Sequence, residues 1–225
     1  MLPMVYLVRH GETDWTKSGR YTSMMEIGLN SKGKEQVAQL SRFTFENPRQ
    51  DCIKTRNISM ILLSERHCVQ ETYDIFKIPN KDTILTYIDP YISEWNFGDF
   101  ECMTRDEIHN TTAFWDIWKE GCPNGETVEQ VAARCDHVIE KIVAHHTEHV
   151  DHNPAVPGGD VLLIAHEHSL RVLAARWVGL PPEHAKSFEL DTSSISVLGY
   201  NRSMRVPVIK AWNVRSQFFN RDPIM

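Results

Sequence analysis

Val5-Tyr6-Leu7-Val8-Arg9-His10-Gly11-Glu12-Thr13 is the stretch that decides how this chain is read. Four apolar residues in succession, bounded by polar ones, read as a short strand buried on both faces. The run ends at a cation and an imidazole, and Gly11 then lets the backbone turn tightly. In open α/β sheets, ligands gather beyond the carboxyl ends of the strands, so Arg9 and His10 are expected at the mouth of a site. Arg9 offers a fixed fork of donors to an oxyanion, and His10 a nitrogen able to attack or to carry a proton.

The same grammar recurs further along. Ile58 to Leu63 is a second buried strand, ending at Ser64-Glu65-Arg66, and Val161 to Ala165 is another, ending at His166-Glu167-His168. Ile84 to Tyr87, Ile195 to Tyr200 and Val206 to Trp212 complete the expected strands. Between them, helical spacing appears from Asn30 or Ser31 through Val37, Leu40 and Phe43, and from Arg66 to about Phe76. It appears again from Thr104 to Lys119, from beyond Gly125 through Val128, Val131, Cys135, Val138 and Ile142, and through Leu170, Leu173 and Trp177. Asp14 to Gly28 reads as a polar loop, Pro154 to Gly159 as a surface loop, and Glu94 lies in a long loop after Asp89-Pro90. Strands alternating with helices predict an α/β protein: a three-layer α/β/α sandwich with a mostly parallel central sheet, one domain over residues 1–225.

Composition narrows the function classes. The 225 residues can bury a full core, and 24% charged residues is near the globular average. A net charge of -6 without a basic stripe argues against nucleic acid as a partner. No apolar run is long enough to span a bilayer, and Met1-Leu2-Pro3-Met4 lacks the charged start of a signal peptide. Five scattered cysteines (Cys52, Cys68, Cys102, Cys122 and Cys135) show no metal-like spacing and fit free thiols in a reducing compartment, the cytoplasm by default. A small-molecule substrate is the expected partner. The sequence carries no signal of oligomeric state.

Three strand ends and a loop thus present Arg9-His10, Ser64-Glu65-Arg66, His166-Glu167-His168 and Glu94. With these residues the chain resembles the histidine phosphatase (phosphoglycerate mutase-like) superfamily, whose signature is the Arg9-His10-Gly11-Glu12-Thr13 string. Thr13-Asp14-Trp15, Ser18-Gly19-Arg20-Tyr21-Thr22, Leu29 and Gly33 are similar to the sugar phosphatases related to sedoheptulose-bisphosphatase. So are Glu94 to Glu101, Trp118 through Gly121 to Thr127, and His168-Ser169-Leu170-Arg171. The resemblance implies that His10 attacks phosphorus, that Arg9 and His166 hold phosphoryl oxygens, and that Glu94 protonates the leaving oxygen. It implies a phosphomonoesterase acting on a small phosphorylated metabolite, a sugar phosphate among the candidates. No cofactor and no metal is implied, because cationic side chains carry the electrostatic load.

The chain also departs from that pattern. The second arginine of the family falls on Cys68, the glycine after the second histidine is Glu167, and a further glycine is Cys102. Arg66, two residues from Cys68, lies on the other side of a helical turn, whereas Arg171 stands one turn from Glu167. Thr13, Ser18, Tyr21, Cys68, Glu167 and Arg171 join Arg9 as candidate substrate-binding residues. Cys68 reads first as a small buried hydrophobe, and Trp115 and Trp118 as core or pocket wall. His145, His146, His149 and His152 read as solvated histidines near a helix end. Two other readings stay open: acid/base chemistry by His10, His166 and Glu94 on a less charged substrate, and a pseudophosphatase that only binds.

Overall fold

The computed structural model describes residues 2–46, 57–152 and 158–215. Cys52 and most of the Pro154 to Gly159 loop lie outside them. The elements run β1 (Val5–Arg9), α1 (Asp14–Ser18), α2 (Ser31–Phe45), β2 (Ile58–Leu63), α3 (His67–Ile75) and β3 (Leu85–Ile88). Then follow α4 (Arg105–Thr111), α5 (Ile117–Glu120), α6 (Val128–His152), β4 (Asp160–Ala165), α7 (Glu167–Trp177), β5 (Ile195–Asn201) and β6 (Ser203–Val214). One six-stranded sheet has the order β3-β2-β4-β1-β5-β6. The first four strands in that order are mutually parallel, and β5 and β6 are antiparallel additions. The expected mostly parallel sheet with helices on both faces is the observed one.

The period-2 geometry of β1 explains why its run is apolar throughout. Val5 and Leu7 enter a core with Trp95, Val131, Val138 and Leu173 on the α6–α7 face. Tyr6 and Val8 enter the opposite core with Val37 and Leu40 of α2 and Val69 of α3. Both faces are dry, so each of these side chains contributes roughly 1.5–3 kcal/mol of burial.

Register places the site. Leu7 pairs with Leu163 and Arg9 with Ala165, so the residues that leave β1 and β4 emerge side by side. The His10 N–H donates to the Ala165 carbonyl at 3.1 Å, and the Ser64 N–H leaving β2 donates to the Ile164 carbonyl at 3.2 Å. The turn after β1 is packed against the start of α2. A Cβ on Gly33 would come within 2.0 Å of the Glu12 carbonyl oxygen, and one on Gly11 within 2.8 Å of the Gly33 carbonyl oxygen. Glycine at both positions is therefore a condition of the close approach that aims His10.

Three expectations are corrected. The polar loop after Gly11 contains the short helix α1, because Thr13 and Thr16 form a reciprocal capping box and Gly19 closes it in the left-handed region. The helix expected from Thr104 to Lys119 is two pieces, α4 and α5. The break follows from Phe114 at φ 64° and from Asp116, which caps the second piece. His146 is fully buried in the core rather than solvated, with Nδ1 2.8 Å from the Tyr200 hydroxyl.

Candidate active site

A cavity of about 760 Å³ opens at the carboxyl ends of β1, β2 and β4. Arg9, His10, Thr13, Tyr21, Arg66, Cys68, Glu94, His166, Glu167 and Arg171 line it, together with His168, Arg105, Trp118 and Lys186. Of the candidate residues from the sequence, Ser18 alone is outside the lining. It is the last residue of α1, and its hydroxyl donates back to the Trp15 carbonyl at 3.1 Å.

His10 is buried, and its Nδ1 lies 2.8 Å from the Gly11 carbonyl oxygen. A carbonyl can only accept, so Nδ1 carries the proton and Nε2 keeps its lone pair. Burial, reinforced by His166 and the Arg9 charge, lowers the His10 pKa to about 3, which leaves the ring neutral near pH 7. His166 is also buried, with its pKa lowered to about 4 by desolvation, and its Nε2 is 2.8 Å from the Ser64 hydroxyl. The two rings meet edge to face at 5.2 Å between centroids. A neutral imidazole offers one N–H donor and one lone pair, so it can hydrogen-bond an oxyanion, attack an electrophile or ligate a metal.

Glu94 is held by the start of α7. Its Oε1 accepts from the Trp95 and Ser169 N–H groups at 2.9 and 3.0 Å, and its Oε2 accepts from the His168 N–H at 3.1 Å. Burial alone would push this carboxyl up. The His168 side chain, the nearby His166 and the Trp95 N–H overrule it and hold the pKa well below the usual carboxylate range.

The opposite wall is a triad of charges. One Glu167 oxygen lies 2.9 Å from Arg9 and the other 2.9 Å from Arg171. Burial works against the Glu167 carboxylate, but Arg9, His168 and Arg171 keep its pKa below the ordinary value. Arg9 also donates to the Leu190 carbonyl, while its buried Nε has no partner among the described residues. Arg171 is fixed by the Ala185 and Lys186 carbonyls and lies over the Trp118 ring at 4.8 Å. Arg66 reaches the cavity rim but spends its terminal nitrogens on Glu26 and Glu65, at 2.8 and 3.2 Å.

Cys68 occupies the first turn of α3, buried, with its thiol pushed up to about 12 by desolvation. His10, Cys68 and His166 each present a ligand atom within 4.8 Å of the other two. Among the described residues no other group of three His, Cys, Asp or Glu gathers this way, the histidines of α6 included.

Sequence reasoning assigned no role to His168. Its Nδ1 is 3.4 Å from Glu94, and its ring sits among Tyr21, Phe97, Trp95 and Trp118. The signal was present: a polar residue in the first turn of a helix that begins beside a carboxylate.

Comparison with known proteins shows which family the chain belongs to. A relative from Saccharomyces cerevisiae, sedoheptulose 1,7-bisphosphatase, is 33% identical over 192 residues, covering 80% of this chain and 69% of that protein. An acid phosphatase of Mycobacterium tuberculosis is 29% identical over 199 residues, covering 88% and 87%. The solved structure of a Mycobacterium tuberculosis open reading frame superposes with a TM-score of 0.78 at 27% identity, over 95% of this chain and 98% of that one. The family model for branch 1 of the histidine phosphatase superfamily matches residues 5–215, and the chain belongs to that superfamily.

Proposed function

We propose that this chain is a phosphomonoesterase of a small phosphorylated metabolite, working through a phosphohistidine on His10. The observation that carries the reading is the fixed tautomer of His10: Nδ1–H is committed to the Gly11 carbonyl, and the neutral ring keeps a lone pair on Nε2. In the first step Nε2 attacks phosphorus and the ester P–O bond breaks. The leaving oxygen takes a proton from Glu94, whose pKa a dianion entering the cavity raises. In the second step water attacks the phosphohistidine, Glu94 takes a proton from that water, and the N–P bond breaks to release phosphate. Donors for the phosphoryl oxygens come from His166 and from Arg9, both of which line the cavity. Thr13, Tyr21 and Arg171 line the same cavity and are placed to contact the rest of the substrate. Its 760 Å³ and mixed polar and aromatic walls suit a sugar-phosphate-sized compound.

The test is phosphate release from a generic aryl phosphate and from a panel of sugar phosphates. Wild type releases phosphate, and His10→Ala lowers kcat at least about a thousandfold, as loss of a nucleophile does. Turnover unchanged in His10→Ala contradicts the reading. The neutralised Arg9 supports a second reading, acid/base conversion of a less charged substrate by His10, His166 and Glu94. That reading stands if no phosphorylated compound is turned over and a substrate lacking phosphate is converted by wild type but not by His10→Ala.

A further inference from the structure

The floor of the cavity sets Cys68, which the chemistry above does not use, beside the two histidines that it does. We propose that His10, Cys68 and His166 form a site for a divalent transition metal, Zn²⁺ fitting best, with a fourth position open to the cavity. Their ligand atoms already lie within 4.8 Å of one another, so small side-chain adjustments close them around one ion. Two imidazoles and a thiolate are the nitrogen and sulfur donors that tetrahedral zinc takes, and three protein ligands leave room for one more. Both rings are held from behind, as metal-binding imidazoles are: His10 by the Gly11 carbonyl and His166 by the Ser64 hydroxyl.

The charge of the surroundings fits as well. Arg9 and Arg171 share the Glu167 carboxylate, and the Glu94 carboxylate faces the same cavity, so the two guanidiniums nearest the site stand against two carboxylates. Binding expels the Cys68 thiol proton to solvent, and dication plus thiolate add one net positive charge where none stood. Because the ion takes the Nε2 lone pair of His10, metal and phosphoryl group exclude each other there. The site itself does not depend on the phosphohistidine reading.

Titration of the metal-free protein with Co²⁺ reads the site without reference to activity. The expected result is one equivalent bound, a near-ultraviolet thiolate-to-cobalt band, and displacement of Co²⁺ by Zn²⁺. Cys68→Ser removes the band and weakens Zn²⁺ binding at least about tenfold, whereas Cys102→Ser keeps both. Zn²⁺ also protects Cys68 of the wild type from alkylation, a measurement that needs no variant. Absence of the thiolate band in the wild type overturns the proposal. So does a band that persists in folded Cys68→Ser, or alkylation of Cys68 at an unchanged rate under saturating Zn²⁺.

Discussion

On one side of the cavity, His10, His166 and Glu94 are buried and hydrogen-bonded into single orientations. On the other, Arg9 and Arg171 share the Glu167 carboxylate, and Cys68 is a buried neutral thiol. The first side has what bond-making to phosphorus needs. The second has less positive charge than a phosphate dianion would use. A unit charge ~4 Å from a dianion is worth on the order of 8 kcal/mol at an effective dielectric near 20, before screening and relaxation. The difference teaches that nucleophile and anion grip are separable features of this pocket: the strand ends fix the one, and side-chain identities at positions 68 and 167 set the other.

The comparison can be broken most sharply at Glu94. Glu94→Gln keeps the hydrogen-bonding shape but carries no transferable proton, so kcat toward alkyl phosphates falls by about 10²–10⁴, while aryl phosphates with good leaving groups lose much less. Equal losses on both substrate types would remove the general-acid role. The charged side is tested next. Glu167→Gln releases Arg9 from its ion pair, and kcat/KM for an aryl phosphate is expected to rise about tenfold; adding Cys68→Arg in the same chain gives a further gain of about tenfold. No gain from either change would mean that the pocket does not limit phosphate binding by its charge.

The smallest expected effect concerns Cys102, away from the reacting atoms. Cys102 holds φ at 71°, its N–H donating to the Tyr21 carbonyl and its own carbonyl accepting from Arg20. Left-handed backbone is costly for a side chain with a Cβ, so Cys102→Gly is expected to stabilise the fold by about 1 kcal/mol, read as a higher urea midpoint at unchanged slope. A lower midpoint would show that the thiol's packing outweighs the backbone cost.

Much of this was legible in the chain. Each of the apolar runs before Arg9, Ser64 and His166 is buried, and a parallel sheet needs its strand ends on one edge, so the site could be placed before any coordinates. The helix α6 and the existence of strands β5 and β6 are legible in the residue pattern, whereas their pairing is not. What escaped were contacts between residues distant in sequence. The Arg9–Glu167 ion pair depends on β1 and β4 being neighbours in a given register, and Cys68 meets two histidines only because α3 starts beside both strand ends. His146 was misjudged because four histidines near a helix end look polar, whereas the helical face that carries Val138 and Ile142 inward carries His146 with them. Local capping by Thr13 and Asp116 split and inserted helices where averaged hydrophobic patterns saw a loop or one long segment.

The central claim is that the pocket keeps its nucleophile although its grip on phosphate is reduced. Brief reaction of the wild-type protein with a radiolabelled aryl phosphate, followed by an alkaline quench and peptide mapping, tests it directly. The expected label is stable in alkali, lost in acid, and confined to the peptide containing His10. Label on another residue, or phosphate release with no label at His10 at any quench time, would contradict it.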